Sequence, residues 1–310
     1  MQDDAFKFAG SVANLVGVDD VALEPINIEP SLTALPPMLV GDNFDVLGKL
    51  PQLPPILSGG QFPKAYELIK RKVQIDGLFR HGDNVMLTAP SKMGKSWFFA
   101  TMATAIASGQ NFCDLATEKG KVLMIDLELH KDDAIDRLWR ISQANGLDAP
   151  PDDLFLWSLR MCNYTMQSLT ECLEHRLEKI GNVDVIILDP IYLLEAGEFD
   201  ENSASCVKNL MVELNKIGKQ TGATICLSHH YRKGKMGNED HIDRGSGSGA
   251  FARFPDSILS LSKHEETNCA ILEVTGRSMP NRPPLTIEVD PPRIRRRADL
   301  PPRHKTYGTK

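Results

Sequence analysis

The chain has 310 residues, of which 42% are hydrophobic and 25% charged, with a formal net charge of −6. That is the balance of a folded globular protein with a sizeable core, and it excludes a chain that holds nucleic acid by being basic throughout. No apolar run reaches the roughly 18 residues of a membrane helix, and the opening Met-Gln-Asp-Asp lacks a basic leader region, so a soluble cytoplasmic chain with no membrane partner is expected.

The charge is unevenly placed. Pro292 to Lys310 holds seven Lys or Arg and one Asp, so a basic tail (291–310) is set against an acidic body. The six cysteines form no C-x-x-C pair, and most lie in apolar runs, as buried thiols in a reducing compartment would. Residues 1–64 carry eight prolines between Pro25 and Pro63 and little periodicity, which indicates an arm and linker. Phe6 to Val16 is the exception. Phe8, Val12, Leu15 and Val16 share a helix face, which would dock either on its own subunit or on a neighbouring one.

From Asn84 strands and helices alternate. "NVMLTAP" reads as a strand, and "KSWFFATMATAIASG" as a helix apolar on most of its surface and ended by Gly109. "KVLMIDLE" is a second strand. In "SLTECLEHRLEKIG", Leu169, Leu173, Leu177 and Ile180 fall on one helical face. "VDVIILD" is a strand, "CVKNLMVELNKIG" a helix and "ATICLSHH" a strand; "SILSLSKH", "CAILEVTGR" and "LTIEVD" then make the sequence β-rich. The expected fold is α/β, a mostly parallel, helix-covered sheet with a β-rich C-terminal edge, occupying residues 65–290.

"APSKMGKS" (Ala89 to Ser96) sits between the first strand and its helix, and is one residue short of the phosphate-loop pattern G-x-x-x-x-G-K-[ST]. Ala89 replaces the first glycine, which is acceptable where φ is negative. In such a loop the backbone from Ala89 through Pro90, Ser91, Lys92, Met93 and Gly94 cradles phosphates. The helix beginning Lys95-Ser96-Trp97 adds its positive end. Lys95 would reach the β- and γ-phosphates of ATP, and Ser96 would hold Mg²⁺. Asp189 ends the "VIILD" strand and would bind the Mg²⁺ through water. The next residue is Pro190, so no carboxylate follows. "VLMIDLE" supplies Asp126 and Glu128 instead. Read as one strand they face the same way, and Glu128, farther out, is the better general base. In "LSHH", His229 is the first candidate to sense the γ-phosphate and His230 the second. No cation besides Lys95 is apparent near these motifs.

Together the phosphate loop, the "IDLE" glutamate, "IILDP" and "LSHHYRKG" resemble the RecA-fold P-loop ATPases, and within them the RepA-like hexameric replicative helicase branch (AAA_25 type). "RGSGSGAFARFPDSILSL" resembles that branch too. The resemblance spans roughly Lys64 to Asp290, and its most specific part is the displaced glutamate. It implies a RecA-like domain, ATP between the subunits of a homo-oligomer (a hexamer most of all), and an arginine finger supplied by the neighbour. Arg244, Arg253 and Arg277 compete for that role. Arg277 is similar in position to a K-x-R finger, but Thr275 stands where the lysine would be. The resemblance further implies a motor on single-stranded DNA, with Arg232, Lys233 and Lys235 near the channel; a loader or recombination mediator that does not unwind is the alternative. The basic run "RIRRR" reads either as a nucleic-acid contact or as a solvated end.

Overall fold

The computed structural model describes Ile56 and residues 58–62, 72–162, 164–190, 204–230 and 254–304. The chain divides into two units, residues 1–70 and 71–310. In the first, Gly59–Gln61 forms one 3₁₀ turn. The second begins with a short hairpin, β1 (Val73–Ile75) and β2 (Phe79–Arg80). Strands β3 (Asn84–Ala89), β4 (Val122–Asp126), β5 (Leu154–Ser158), β6 (Val185–Asp189) and β7 (Thr224–His230) then alternate with helices α1 (Lys95–Ser108), α2 (Lys131–Ala144), α3 (Met166–Ile180) and α4 (Ala204–Thr221). The chain continues into β8 (Ser257–Lys263), β9 (Cys269–Gly276), β10 (Leu285–Asp290) and β11 (Arg293–Arg296).

One nine-stranded sheet runs in the order β11-β10-β9-β8-β3-β7-β6-β4-β5. From β8 to β5 every neighbouring pair is parallel, and from β8 to β11 every pair is antiparallel. Parallel strands need crossovers, and the helices that provide them cover both faces. Alternation along each strand decides which helix is met. Leu87, Met124, Ile187 and Cys226 pack on the α1 and α2 side with Phe98, Met102, Leu138 and Ile141. Met86, Leu123, Ile186 and Leu227 pack on the other side with Leu169, Leu173, Leu210 and Leu214.

α1 has almost no polar face because it is enclosed by the sheet and α2, and it ends where Gly109 adopts φ 75°. α3 starts at Thr165, whose side chain accepts the Ser168 N–H, and stops before Gly181. Among the described residues no helix is long and apolar enough to cross a membrane.

One expectation is corrected. The stretch after residue 290 is not a loose basic end: Arg293–Arg296 is the edge strand, paired with β10, and its Ile294 is buried. Alternation explains this, since the one apolar residue in "RIRR" points inward while its flanking arginines sit at a sheet edge. Of the five cysteines whose side chains are described, Cys113, Cys226 and Cys269 are buried, as expected of most, and Cys162 and Cys172 are exposed. The Phe6 to Val16 segment lies outside the described residues.

Candidate nucleotide site

β3 delivers the phosphate loop. Ala89 is its last residue and keeps strand geometry, so alanine costs nothing there. Gly94 has φ 81°, the left-handed conformation that favours glycine, and a Cβ at this point would lie 2.7 Å from Val289 Cγ1. Lys92 also has positive φ, at 63°. The loop opens directly into α1, whose first free N–H groups face the same space.

Lys95 is 6% exposed, and its Nζ donates to the Ala89 carbonyl at 3.3 Å. Burial pulls its ammonium down to about 8, against the opposing pull of Asp189 and Glu128. The site therefore holds a partly desolvated cation facing two carboxylates.

The carboxylates arrive on adjacent strands, with Asp126 of β4 in register with Asp189 of β6. Asp189 is fully enclosed. It accepts a hydrogen bond from Ser228 Oγ at 2.5 Å and another from the Ser96 hydroxyl. Burial and the neighbouring Asp126 raise its pKa, while the two hydroxyls and Arg137 oppose that rise. The Ser96 hydroxyl and Asp189 carboxylate thus meet where the sequence puts Mg²⁺. Such a pair of hard oxygens fits a small divalent cation that takes its remaining ligands from phosphate and water. Among the described residues no cluster of three or more His, Cys, Asp or Glu could hold a metal alone.

Asp126 and Glu128 do not share a strand, as the sequence suggested. β4 ends at Asp126, whose Oδ1 accepts the N–H groups of Glu128 at 3.0 Å and Leu129 at 2.8 Å. Asp126 is therefore spent on fixing the turn, an Asx-type arrangement. The turn carries Glu128 out to an exposed position in the lining of the cleft, where its charge is felt by Lys95.

The cleft has a volume of about 800 Å³ and joins two structures. One wall is the loop from Ser91 to Trp97 with Asp126, Glu128 and Asp189; the other is the β8–β9 turn around Thr267 and Asn268, with Val289 of β10 and Pro291 just after it. That volume suits a nucleotide-sized ligand.

His229 lies in β7 opposite Thr88, is buried, and does not line the cleft. His230 is in register with Ala89, and its side chain lies outside the described residues, as do Arg244, Arg253 and the stretch with Arg232, Lys233 and Lys235. Arg277 follows β9, with Nη1 3.9 Å from Asp256 and Nη2 donating to the Phe254 carbonyl at 3.4 Å. It does not line the cleft of its own chain.

The residue that the sequence reading missed is Arg137. It sits on α2 and lines the cleft, and it feels the charges of Asp126, Asp189 and Glu128. Burial lowers its pKa, and its Nη1 is enclosed without a hydrogen-bond partner among the described residues. Its guanidinium carbon stands 4.7 Å from the centre of the Trp97 ring. The expectation that Lys95 is the only nearby cation is therefore corrected. The signal was present: Ala134, Leu138 and Ile141 are spaced for one buried helix face, with Asp132 and Asp133 in the first turn.

Comparison with known proteins now bears on this geometry. No curated protein matches the chain. A solved ATPase domain superposes with a TM-score of 0.55 at 13% identity, covering 74% of this chain and 93% of that one. A DnaB-like replicative helicase, solved with attention to its interactions with primase, gives a TM-score of 0.56 at 14% identity over 76% of this chain and 65% of that one. These likenesses concern the fold, which is RecA-like. The family model described as an AAA domain matches residues 63–236. Since that match spans more than half of the sequence and includes the phosphate loop, Glu128 and Asp189, the chain belongs to the AAA_25 family.

Proposed function

We propose that the protein is an ATP-hydrolysing motor of the helicase type that acts on single-stranded DNA. The observation that carries this reading is the convergence of Lys95, Ser96, Asp189 and Glu128 on one cleft at the carboxyl ends of adjacent parallel strands. ATP would lie with its phosphates on the loop from Ala89 to Ser96. Lys95 neutralises charge on the β- and γ-phosphates. Ser96 would hold Mg²⁺ directly and Asp189 through water, and the ion when bound would offset phosphate charge. Glu128 takes a proton from a water molecule, whose oxygen attacks the γ-phosphorus as the bond to the β–γ bridging oxygen breaks and ADP leaves. Arg137 adds a second positive charge from the same chain.

The active sites are shared within a homo-oligomer, for which a hexamer is the expected form. Arg277 is exposed and does not line its own cleft, as a residue serving a neighbour's cleft would be; Arg244 and Arg253 remain candidates for the same role. The test pairs ATP turnover with unwinding of a forked DNA duplex. Wild type is expected to do both, and Lys95→Ala neither. Turnover by Lys95→Ala within about twofold of wild type would remove the phosphate-loop assignment. DNA-stimulated turnover without unwinding would make the protein a loader or mediator instead.

A further inference from the structure

We infer that Trp97 is a positioning residue: its indole holds Arg137 at the phosphate end of the cleft, and the same ring registers the arrival of the γ-phosphate. The inference rests on the nucleotide reading above and adds to it a residue that acts through another.

Trp97 is the third residue of α1, two positions after Lys95, and is half-buried against the main core. Its ring meets α2. Arg137 lies over it at 4.7 Å, and Arg140, one turn further along α2, lies at 5.9 Å. Two guanidinium groups therefore share one aromatic ring. An aromatic face attracts a cation through its quadrupole, most strongly where water is excluded. Arg140 has an exposed carboxylate partner in Asp136, at 3.8 Å. Arg137 is placed differently, with an enclosed Nη1 that no atom among the described residues accepts from, in a cleft walled by Asp126, Asp189 and Glu128.

An arginine with an unused, buried N–H beside an anion-binding loop is poised to donate to an anion. A long flexible side chain would otherwise fold onto the carboxylates and neutralise them, Glu128 included. The flat ring offers an alternative seat that keeps the guanidinium charged and close without consuming its N–H groups. Trp97 thus sets where Arg137 waits and limits how much it competes for the general base. Because the indole touches the cation directly, movement of Arg137 toward phosphate changes the electrostatic field at the ring, and with it the tryptophan emission.

The experiment uses the full chain with Trp139→Phe and Trp157→Phe, so that Trp97 is the sole tryptophan. Emission is followed during titration with a slowly hydrolysed Mg²⁺–ATP analogue and with Mg²⁺–ADP. The triphosphate is expected to shift emission more than ADP does, and Arg137→Gln is expected to abolish the difference while a dialysis assay still reports bound nucleotide. In steady state, Trp97→Leu should lower kcat about tenfold with KM for ATP changed less than about threefold, and Trp97→Phe should recover most of kcat. Adding Trp97→Leu to Arg137→Gln should cost nothing further, because both remove one device. If the double variant is additive, or Trp97→Leu changes only thermal stability, Trp97 is a packing residue and the inference falls while the Arg137 role stands. If Arg137→Gln turns over like wild type, Arg137 has no part in hydrolysis and both ideas fall together.

Discussion

Lys95 carries a pH signature. Its folded-state pKa of about 8 lies below its ordinary value of 10.5, because burial disfavours the charged form. In the nucleotide-free protein that penalty is in full force below pH 8 and is relieved as pH rises toward 10.5. Wild type should therefore gain stability relative to Lys95→Met across this window, as melting curves at stepped pH would register. Triphosphate binding has the opposite sign, since it needs the cation. Above pH 8 binding must take up a proton, and affinity should fall by up to about tenfold per pH unit. Calorimetry in two buffers of different ionisation enthalpy would detect that proton. The two acids of "IDLE" should part company under mutation. Glu128→Gln is expected to bind ATP and not hydrolyse it. Asp126→Asn keeps an acceptor for the Glu128 and Leu129 N–H groups and should retain most activity, whereas Asp126→Ala releases the turn and should behave like Glu128→Gln. Full turnover by Glu128→Gln would move the base elsewhere.

At the scale of elements, Gly94 joins the phosphate loop to the C-terminal strands. Gly94→Ala must bear a left-handed residue at about 1–2 kcal/mol and push Val289 aside. Nucleotide affinity should drop, and Val289→Ala should restore only the steric share; full rescue would show that the backbone conformation is immaterial. β11 yields a second contrast. Truncation at Arg293 should lower the melting temperature by several degrees, since it removes buried Ile294 and leaves β10 as the edge. Arg293→Glu with Arg296→Glu keeps the strand and tests charge alone, so weaker DNA binding in that variant, steeper at low salt, would mark the edge as a nucleic-acid contact. The strands of the parallel block were legible because residues enclosed on both faces must be apolar throughout, as "VLMID" and "VIILD" are. α1 was legible from its phosphate loop and Gly109. α2 and β5 were not, since α2 buries only a narrow stripe and "LFLWS" is half-exposed along its whole length. Missing α2 meant missing Arg137. The candidate base Glu128 was picked out as the outer acid of a strand end, yet its placement required the Asp126 turn, which a strand period of two cannot express.

Across the whole molecule, the cleft takes its two walls from opposite ends of the domain, and Arg277 stands outside both. A mixing experiment addresses the proposed assembly. Glu128→Gln subunits combined with Arg277→Ala subunits should recover part of the activity that each lacks alone; if no mixture recovers, with Arg244 and Arg253 variants included, sites are not shared. The sheet order carries another consequence, one that concerns biosynthesis. β3 emerges early but is flanked only by β7 and β8, and the Asn84 N–H is satisfied by Asp256, 172 residues later. Until the ribosome has released that far region, the loop at the end of β3 hangs from a strand with at most one neighbour, β7, in place. Contacts this distant in sequence form late and slowly. Nascent chains arrested before residue 257 should fail to retain nucleotide, and those arrested after β10 has cleared the exit tunnel should succeed, so the youngest copies of this protein spend most of their synthesis as apolar strands waiting for partners not yet made.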